Sequence, residues 1–282
     1  MAKRDELILC AATLLPDPVR PDAASLELEV EAAQRAGFAG ISLWSFHASV
    51  AATGGRSPEE VREFVLGSGL RVPMVEAILP WGAESDAAAV AQALPTLEMA
   101  RDYGAQHVIA VTMDAEIRPI ADSASRLRAV AEAADDYGLG IAVEFLPWSG
   151  IPTLLSAWQL VQSADRENTG IMVDGWHWQR QPGGPAPDVM RSIPGEVIVI
   201  HQLSDAGVEP EGAALSDAEA ECMSVRALPG EGTVDQAQLL ALLDEIGAAP
   251  ILAPEVFNTD LAALGANEMA RQIYDASVRV IG

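Results

Sequence analysis

Lysine is nearly absent: Lys3 is the only one, and arginine brings the basic total to just 17 against 41 acidic side chains, a formal net charge of −24. So acidic a surface repels phosphate backbones and anionic headgroups, and no basic stripe offsets it; nucleic acid is excluded as a natural partner. The shortage of lysine and the lack of a phosphate cradle also count against a phosphorylated substrate. Cysteine is as scarce, since Cys10 and Cys222 lie far apart with no paired spacing. That fits a reducing compartment and gives the expectation of a cytoplasmic protein. No apolar run is long enough to span a bilayer. Lys3 and Arg4 precede the apolar run Leu7 to Leu15, but Asp5 and Glu6 interrupt the basic region and no small-residue cleavage pattern follows. The run reads as a first strand, not a signal peptide. No low-complexity linker or shift of composition divides the chain, so residues 1–282 are expected to form one domain.

What is abundant is hydrophobic sequence, 50% of all residues, arranged as an alternation. Short apolar runs without polar interruption, as in strands buried on both faces, occur at 7–11, 40–43, 72–76, 107–111, 140–144, 170–174, 197–201 and 250–254. Between them lie helical stretches, among them Ser57-Pro58-Glu59-Glu60 with a serine cap and a proline in the first turn, the alanine-rich 86–103, and a closing helix over 261–280. Eight strand–helix units in this length predict a single (β/α)8 barrel, with an open doubly wound sheet as the alternative. No G-x-G-x-x-G follows the first strand, which weakens a dinucleotide-binding version of that alternative.

Four apolar runs end in a metal-competent side chain: Glu144, Asp174, His201 and Glu255. In a barrel these would be the ends of the fifth to eighth strands, opening onto the mouth where barrel active sites lie. Three carboxylates and an imidazole converging there would repel one another without a cation. The set suits one divalent ion, manganese foremost, with magnesium or cobalt as fits and zinc less so. Trp44, Trp81, Trp148, Trp176 and Trp178 all follow predicted strands and could wall a sugar ring or an alicyclic compound. His47, Glu76, Asp114 and Arg180 are second candidates near the mouth, while His107, at a strand start, reads as structural. The polar stretch from Ser204 to Val225 is long for a barrel loop and reads as a lid or a contact with a neighbour.

These endings, with Asp174-Gly-Trp-His177 and Arg226-Ala-Leu-Pro-Gly-Glu-Gly-Thr-Val-Asp235, resemble the xylose isomerase-like TIM-barrel superfamily over nearly the whole chain. Within it the likeness is to sugar phosphate isomerase/epimerase proteins, including ketose 3-epimerases and inosose dehydratases. The resemblance implies that Glu144, Asp174, His201 and Glu255 hold the ion and that Glu144 and Glu255 move protons on opposite faces of the substrate. It implies that His177 and Arg226 grip substrate oxygens. Trp176, Trp148, Trp81, Trp44 and His47 would complete the substrate site. The implied activity is isomerisation or epimerisation of a sugar or polyol ketone through a metal-stabilised enediolate. A dehydratase or lyase is the alternative on the same residues, and a non-catalytic partner barrel is a further one. An abasic-site endonuclease, which shares the barrel, would need more histidines than the four present and a basic face. Dimers or tetramers are frequent in the resembled family, so a homo-oligomer is also implied.

Overall fold

The computed structural model describes residues 6–113, 120–208 and 215–282. Eight parallel strands lie side by side in chain order: β1 (Ile8–Cys10), β2 (Gly40–Trp44), β3 (Met74–Ile78), β4 (His107–Ala110), β5 (Gly140–Glu144), β6 (Thr169–Asp174), β7 (Ile198–Gln202) and β8 (Ile251–Leu252). Between the ends of this order, the Cys10 N–H donates to the Pro254 carbonyl at 3.1 Å, so the sheet closes on itself as a (β/α)8 barrel.

An outer ring of helices covers the barrel. It begins with α1 (Ser25–Ala36), α2 (Ser45–Thr53) and α3 (Pro58–Gly67), and continues through α4 (Asp86–Tyr103), α5 (Ile120–Asp135) and α6 (Leu154–Ala164). Two short helices, α7 (Gly175–Arg180) and α8 (Pro187–Arg191), precede β7; α9 (Leu215–Cys222) and α10 (Gln236–Glu245) follow it, and α11 (Thr259–Ala262) and α12 (Ala266–Ile281) end the chain. Local chemistry sets the boundaries. Ser57 and Glu60 form a reciprocal capping box on α3, and Ser85 caps α4. Gly37 and Gly104 end α1 and α4 in the left-handed region, where a side chain would be strained. The expected closing helix is two helices, broken at Gly265, whose positive φ of 89° interrupts the helical path. No helix among the described residues is long and apolar enough to cross a membrane.

The barrel interior is filled by a separate apolar layer: Ile8, Met74, Ile109, Ala142, Met172, Ile200 and Ala253. Because side chains alternate along a strand, the residues two positions on share the interior. On six of these seven strands they are Cys10, Glu76, Glu144, Asp174, Gln202 and Glu255. A greasy plug thus carries a polar, mostly acidic layer directly above it, at the C-terminal face of the barrel.

Removing the plug beneath Asp174 tests this stacking. Met172→Ala should lower stability by about 2–5 kcal/mol, the usual range for a large-to-small core change, with an unchanged far-ultraviolet circular dichroism spectrum. Chemical denaturation measures it; an effect below about 0.5 kcal/mol would contradict a filled interior.

Candidate active site

Asp174 is the best-anchored member of the acidic layer. It ends β6 and caps α7, where its Oδ1 accepts the His177 N–H at 2.8 Å. The Ser204 hydroxyl sits 3.0 Å from both carboxylate oxygens and itself accepts the Trp176 N–H at 2.8 Å. This requires the start of α7 to lie close against the end of β7: a Cβ on Gly175 would come within 2.5 Å of the Ser204 carbonyl oxygen. Oδ2 accepts from Arg226 Nη1 at 2.8 Å, and the same nitrogen lies 3.1 Å from Glu255 Oε2. Arg226 is almost wholly buried, with its Nε bonded to the Cys222 carbonyl at 2.9 Å and its Nη2 to the Cys222 sulfur at 2.8 Å.

The chain returns Arg226 to the mouth despite the long segment before it. Asp205 pairs with Ala227, and Val225 with Asn258, as antiparallel bridges. The Asp205 carboxylate accepts the N–H groups of Ala206 at 2.8 Å, Gly230 at 2.9 Å and Val234 at 2.8 Å. The Pro-Gly-Glu-Gly stretch therefore wraps a carboxylate of the chain itself, and Gly232 lies so close that a Cβ would meet Asp205 Oδ1 at 2.4 Å. Beyond this clamp the segment carries α9, tied to α7 by Arg180, whose Nη2 bonds Glu221 at 2.7 Å and the Gly207 carbonyl at 2.7 Å. Arg180 thus ties α7 to the stretch that carries α9. Asp114 lies outside the described residues.

Glu144 ends β5 with Oε1 3.2 Å from His177 Nε2. The His177 ring packs edge-on against Trp148 and Trp176, at 5.6 and 5.4 Å between centroids. Trp176 is fully buried, with the Arg226 guanidinium 5.8 Å from its ring, while Trp148 is half-buried. Trp44, also half-buried, packs on Phe257 at 5.8 Å on the β1–β2 side. Trp81 is spent on the frame: its Nε1–H donates to the Val111 carbonyl at 2.8 Å. His47 needs correction as a substrate ligand. It falls in α2, which starts directly after β2 and turns the ring onto α1, so one nitrogen bonds Glu29 at 3.0 Å and the other the Pro18 carbonyl at 2.8 Å. Neither is free for a substrate. His107 sits at the start of β4, away from the mouth.

The largest correction concerns β7. Val173 pairs with His201 and Asp174 with Gln202, and paired residues of neighbouring parallel strands point to the same side. Val173 and Leu252, the two partners of His201, belong to the outer core; Ile200 belongs to the interior layer. His201 therefore faces outward, with Nδ1 2.9 Å from the Val173 carbonyl, and Gln202 faces the carboxylates. Gln202 is fully buried, and neither its amide oxygen nor its nitrogen has a partner. His201 Nε2 is likewise buried without a partner, so it is the direction of the two side chains, not their pairing, that sets Gln202 apart.

Four acidic groups and one guanidinium share this low-dielectric space, and the protonation equilibria show the imbalance. Burial, then the charge of Asp174, pushes Glu144 up to about 8, Arg226 only partly opposing them. Burial likewise raises Glu255 to about 7 against the pull of Arg226, helped by Glu144 and Asp174. Glu76 rises well above the carboxylate range through burial and the charge of Glu255. Asp174 alone is held low: burial raises it, but Arg226, His177 and the Ser204 hydroxyl outweigh that. Burial lowers His177 to about 4, which keeps the imidazole neutral near pH 7. Elsewhere, a cavity of 490 Å³ opens at the other end of the barrel, lined by Arg71, Gln106 and Asp244 among others but by none of these residues.

Residues 30–280 match the family model described as Xylose isomerase-like TIM barrel. Inosose isomerase of Bacillus licheniformis is 27% identical over 192 residues, 66% of this chain and 66% of that protein. 3-Dehydroshikimate dehydratase of Pseudomonas putida is 32% identical over 138 residues, 49% of this chain but 21% of that protein. The chain thus spans just under two thirds of the first relative's length and about a fifth of the second's. The IolI protein, solved with a binding zinc atom, has a TM-score of 0.84 at 21% identity, with 98% of both chains covered. L-Ribulose 3-epimerase has a TM-score of 0.71 at 16% identity, covering 100% of this chain and 95% of its own. At these identities the solved structures share the fold, and the curated relatives are isomerases and dehydratases.

The proton held by Glu144 has a measurable consequence. Between its ordinary value of 4.5 and about 8, folded metal-free protein keeps a proton that the unfolded chain has released. Its contribution is therefore fully present below 4.5 and is lost as pH rises toward 8. Glu144→Gln, which cannot ionise, should gain stability relative to the unmodified protein as pH goes from 5 to 8, read by urea denaturation with chelator present. A difference that is flat or falls with pH would contradict the assignment.

Proposed function

The chain belongs to the xylose isomerase-like TIM-barrel family, and from that premise we propose that it is a divalent-metal-dependent isomerase or epimerase of a sugar or related polyol ketone. One observation carries the reading. Three buried carboxylates, Glu144, Asp174 and Glu255, share the mouth with the unpartnered Gln202 amide and have a single guanidinium among them. The donor set fits the ion: carboxylate oxygens and an amide carbonyl with no other partner are hard oxygen ligands, the set that favours magnesium or manganese. Gln202 replaces His201 in this proposal, and the set becomes all-oxygen, with manganese foremost and cobalt or zinc less suited. In the metal-free arrangement Arg226 supplies the positive charge between Asp174 and Glu255.

When bound, the ion would hold a substrate carbonyl and the neighbouring hydroxyl and favour loss of the proton between them. The chain's own residues supply the rest. Glu144 takes the proton from the carbon beside the carbonyl, with His177 fixing the orientation of its Oε1 and exchanging a proton with it. Glu255, beyond β8, returns a proton from its own side of the mouth, giving inversion at that carbon. Arg226 donates to substrate oxygens, a role suited to its several N–H groups. The half-buried Trp148 and Trp44 offer flat faces on the two sides of the site. Dehydration is the second reading, favoured by the 32% identity to 3-dehydroshikimate dehydratase. There the proton leaves as before, a β-hydroxyl departs, and the acid that returned a proton to carbon protonates that hydroxyl instead. Product analysis separates the two, because only the dehydration forms an enone with new ultraviolet absorbance.

Glu144→Gln and Glu255→Gln should each lower kcat by about 10²–10⁴-fold while the fold persists, measured on ketoses and keto-polyols by exchange of the α-proton with deuterated water. Full exchange in both variants would sink the mechanism. Elemental analysis tests the metal set separately: Gln202→Leu should weaken manganese binding about 10–100-fold and His201→Phe much less. The reverse order would restore His201 as the ligand.

A further inference from the structure

On the β1–β3 side of the mouth a sulfur joins the oxygens. Cys10 Sγ lies 3.0 Å from Glu255 Oε1 and 3.7 Å from Glu76 Oε1. The three groups come from β1, β3 and the end of β8, all are buried, and each offers a ligand atom within 4.8 Å of the other two. Among the described residues this is the one trio of histidine, cysteine or acidic groups drawn so close together. A fourth polar atom faces them. Ser42 is the Cα partner of Cys10 across β1 and β2, is fully buried, and lies against both Cys10 and Glu76. Its Oγ nevertheless makes no hydrogen bond of regular geometry.

A buried thiol donating to a carboxylate is the plainer account, and it covers only part of the arrangement. The single thiol hydrogen serves Glu255, whose other oxygen is met by Arg226, and leaves Glu76 and the Ser42 hydroxyl facing the sulfur. The spacing also admits a metal ion. In a tetrahedral zinc site with Zn–S about 2.3 Å and Zn–O about 2.0–2.2 Å, sulfur and oxygen ligands lie about 3.6 Å apart. The 3.7 Å to Glu76 matches that edge, and the 3.0 Å to Glu255 is a hydrogen-bond contact that would open by about 0.6 Å when an ion replaces the thiol hydrogen.

We propose that Cys10, Glu76 and Glu255, with the Ser42 hydroxyl beside them, form a second divalent-cation site selective for a thiophilic ion such as zinc, cadmium or cobalt(II). Sulfur is the discriminating donor, because thiolate favours these ions while magnesium and manganese prefer oxygen alone. Glu255 links the two sets, with Oε1 toward Cys10 and Oε2 toward Arg226. The site shares Glu255 and the same buried space with the oxygen set, and its sulfur ligand sets it apart.

The test is titration of the full-length, chelator-treated protein with cobalt(II), followed by absorption. Thiolate coordination produces an intense near-ultraviolet charge-transfer band in addition to the weak visible bands that any cobalt site gives. The expected result is that the band grows in the unmodified protein and persists in Cys222→Ala, which retains Cys10 as its only cysteine. It persists as well in Glu144→Gln, which damages only the oxygen set. Cys10→Ser should abolish it and weaken cadmium binding about 100-fold, and Glu76→Gln should weaken cadmium about 10-fold with the band retained. Absence of the band in cobalt-saturated protein, its loss in Cys222→Ala or its survival in Cys10→Ser would overturn the site. Circular dichroism checks each variant; should Cys10→Ser fail to fold, the Cys222→Ala and Glu76→Gln spectra decide.

Discussion

A buried guanidinium shared between two carboxylates governs this molecule. Arg226 reaches Asp174 at 2.8 Å and Glu255 at 3.1 Å in a space that also holds Glu144 and Glu76. Removing one partner from a buried ion pair leaves an uncompensated charge, which costs several kcal/mol. One cation cannot neutralise four acids, so the remaining acids retain protons or wait for a metal. The raised values of Glu144 and Glu255 and the low one of Asp174 are the same fact seen from three sides: only Asp174 has the guanidinium, a backbone N–H and a hydroxyl together.

The fold exists to hold that imbalance in place. Strand alternation puts the acids directly above an apolar plug, so none can sink into the barrel or relax into solvent below. The loop after β7 is closed by the Asp205 carboxylate, and this closure, not sequence proximity, returns Arg226 to the mouth. The clamp at Asp205 and the Arg180–Glu221 tie anchor the described parts of the stretch between β7 and Arg226. Aromatic rings pack together on the α7 side, Trp148 on Trp176, and on the other side Trp44 packs on Phe257.

Much of this is legible in the sequence, and the exceptions have specific causes. The eight strands are plain because each is built on a short, mostly apolar run, and Glu144, Asp174 and Glu255 are plain because each ends or follows such a run. That same continuity hides the phase of a strand: a run buried on both faces does not say which residues point inward. His201 is expected because it closes the run 197–201, and the register shift between β6 and β7 leaves no local signal that Gln202 is the inward residue. Ile200, the partner of Met172, faces inward, and two residues on, Gln202, the partner of Asp174, faces the same way. His47 misled for a different reason, since α2 begins at Ser45 with no turn residue to announce it. Helices α7 and α9 escaped because one is aromatic-rich and six residues long and the other lies within an acidic, polar stretch.

Anomalous scattering from crystals soaked in manganese tests the central claim most directly, because it places the ion without reference to any substrate. The account predicts a peak at the mouth within about 2.1–2.3 Å of oxygens from Glu144, Asp174, Gln202 and Glu255, with the Arg226 guanidinium displaced from between its two carboxylates. A peak coordinated by His201 instead of Gln202, or no peak at the mouth in crystals saturated with manganese, would contradict it.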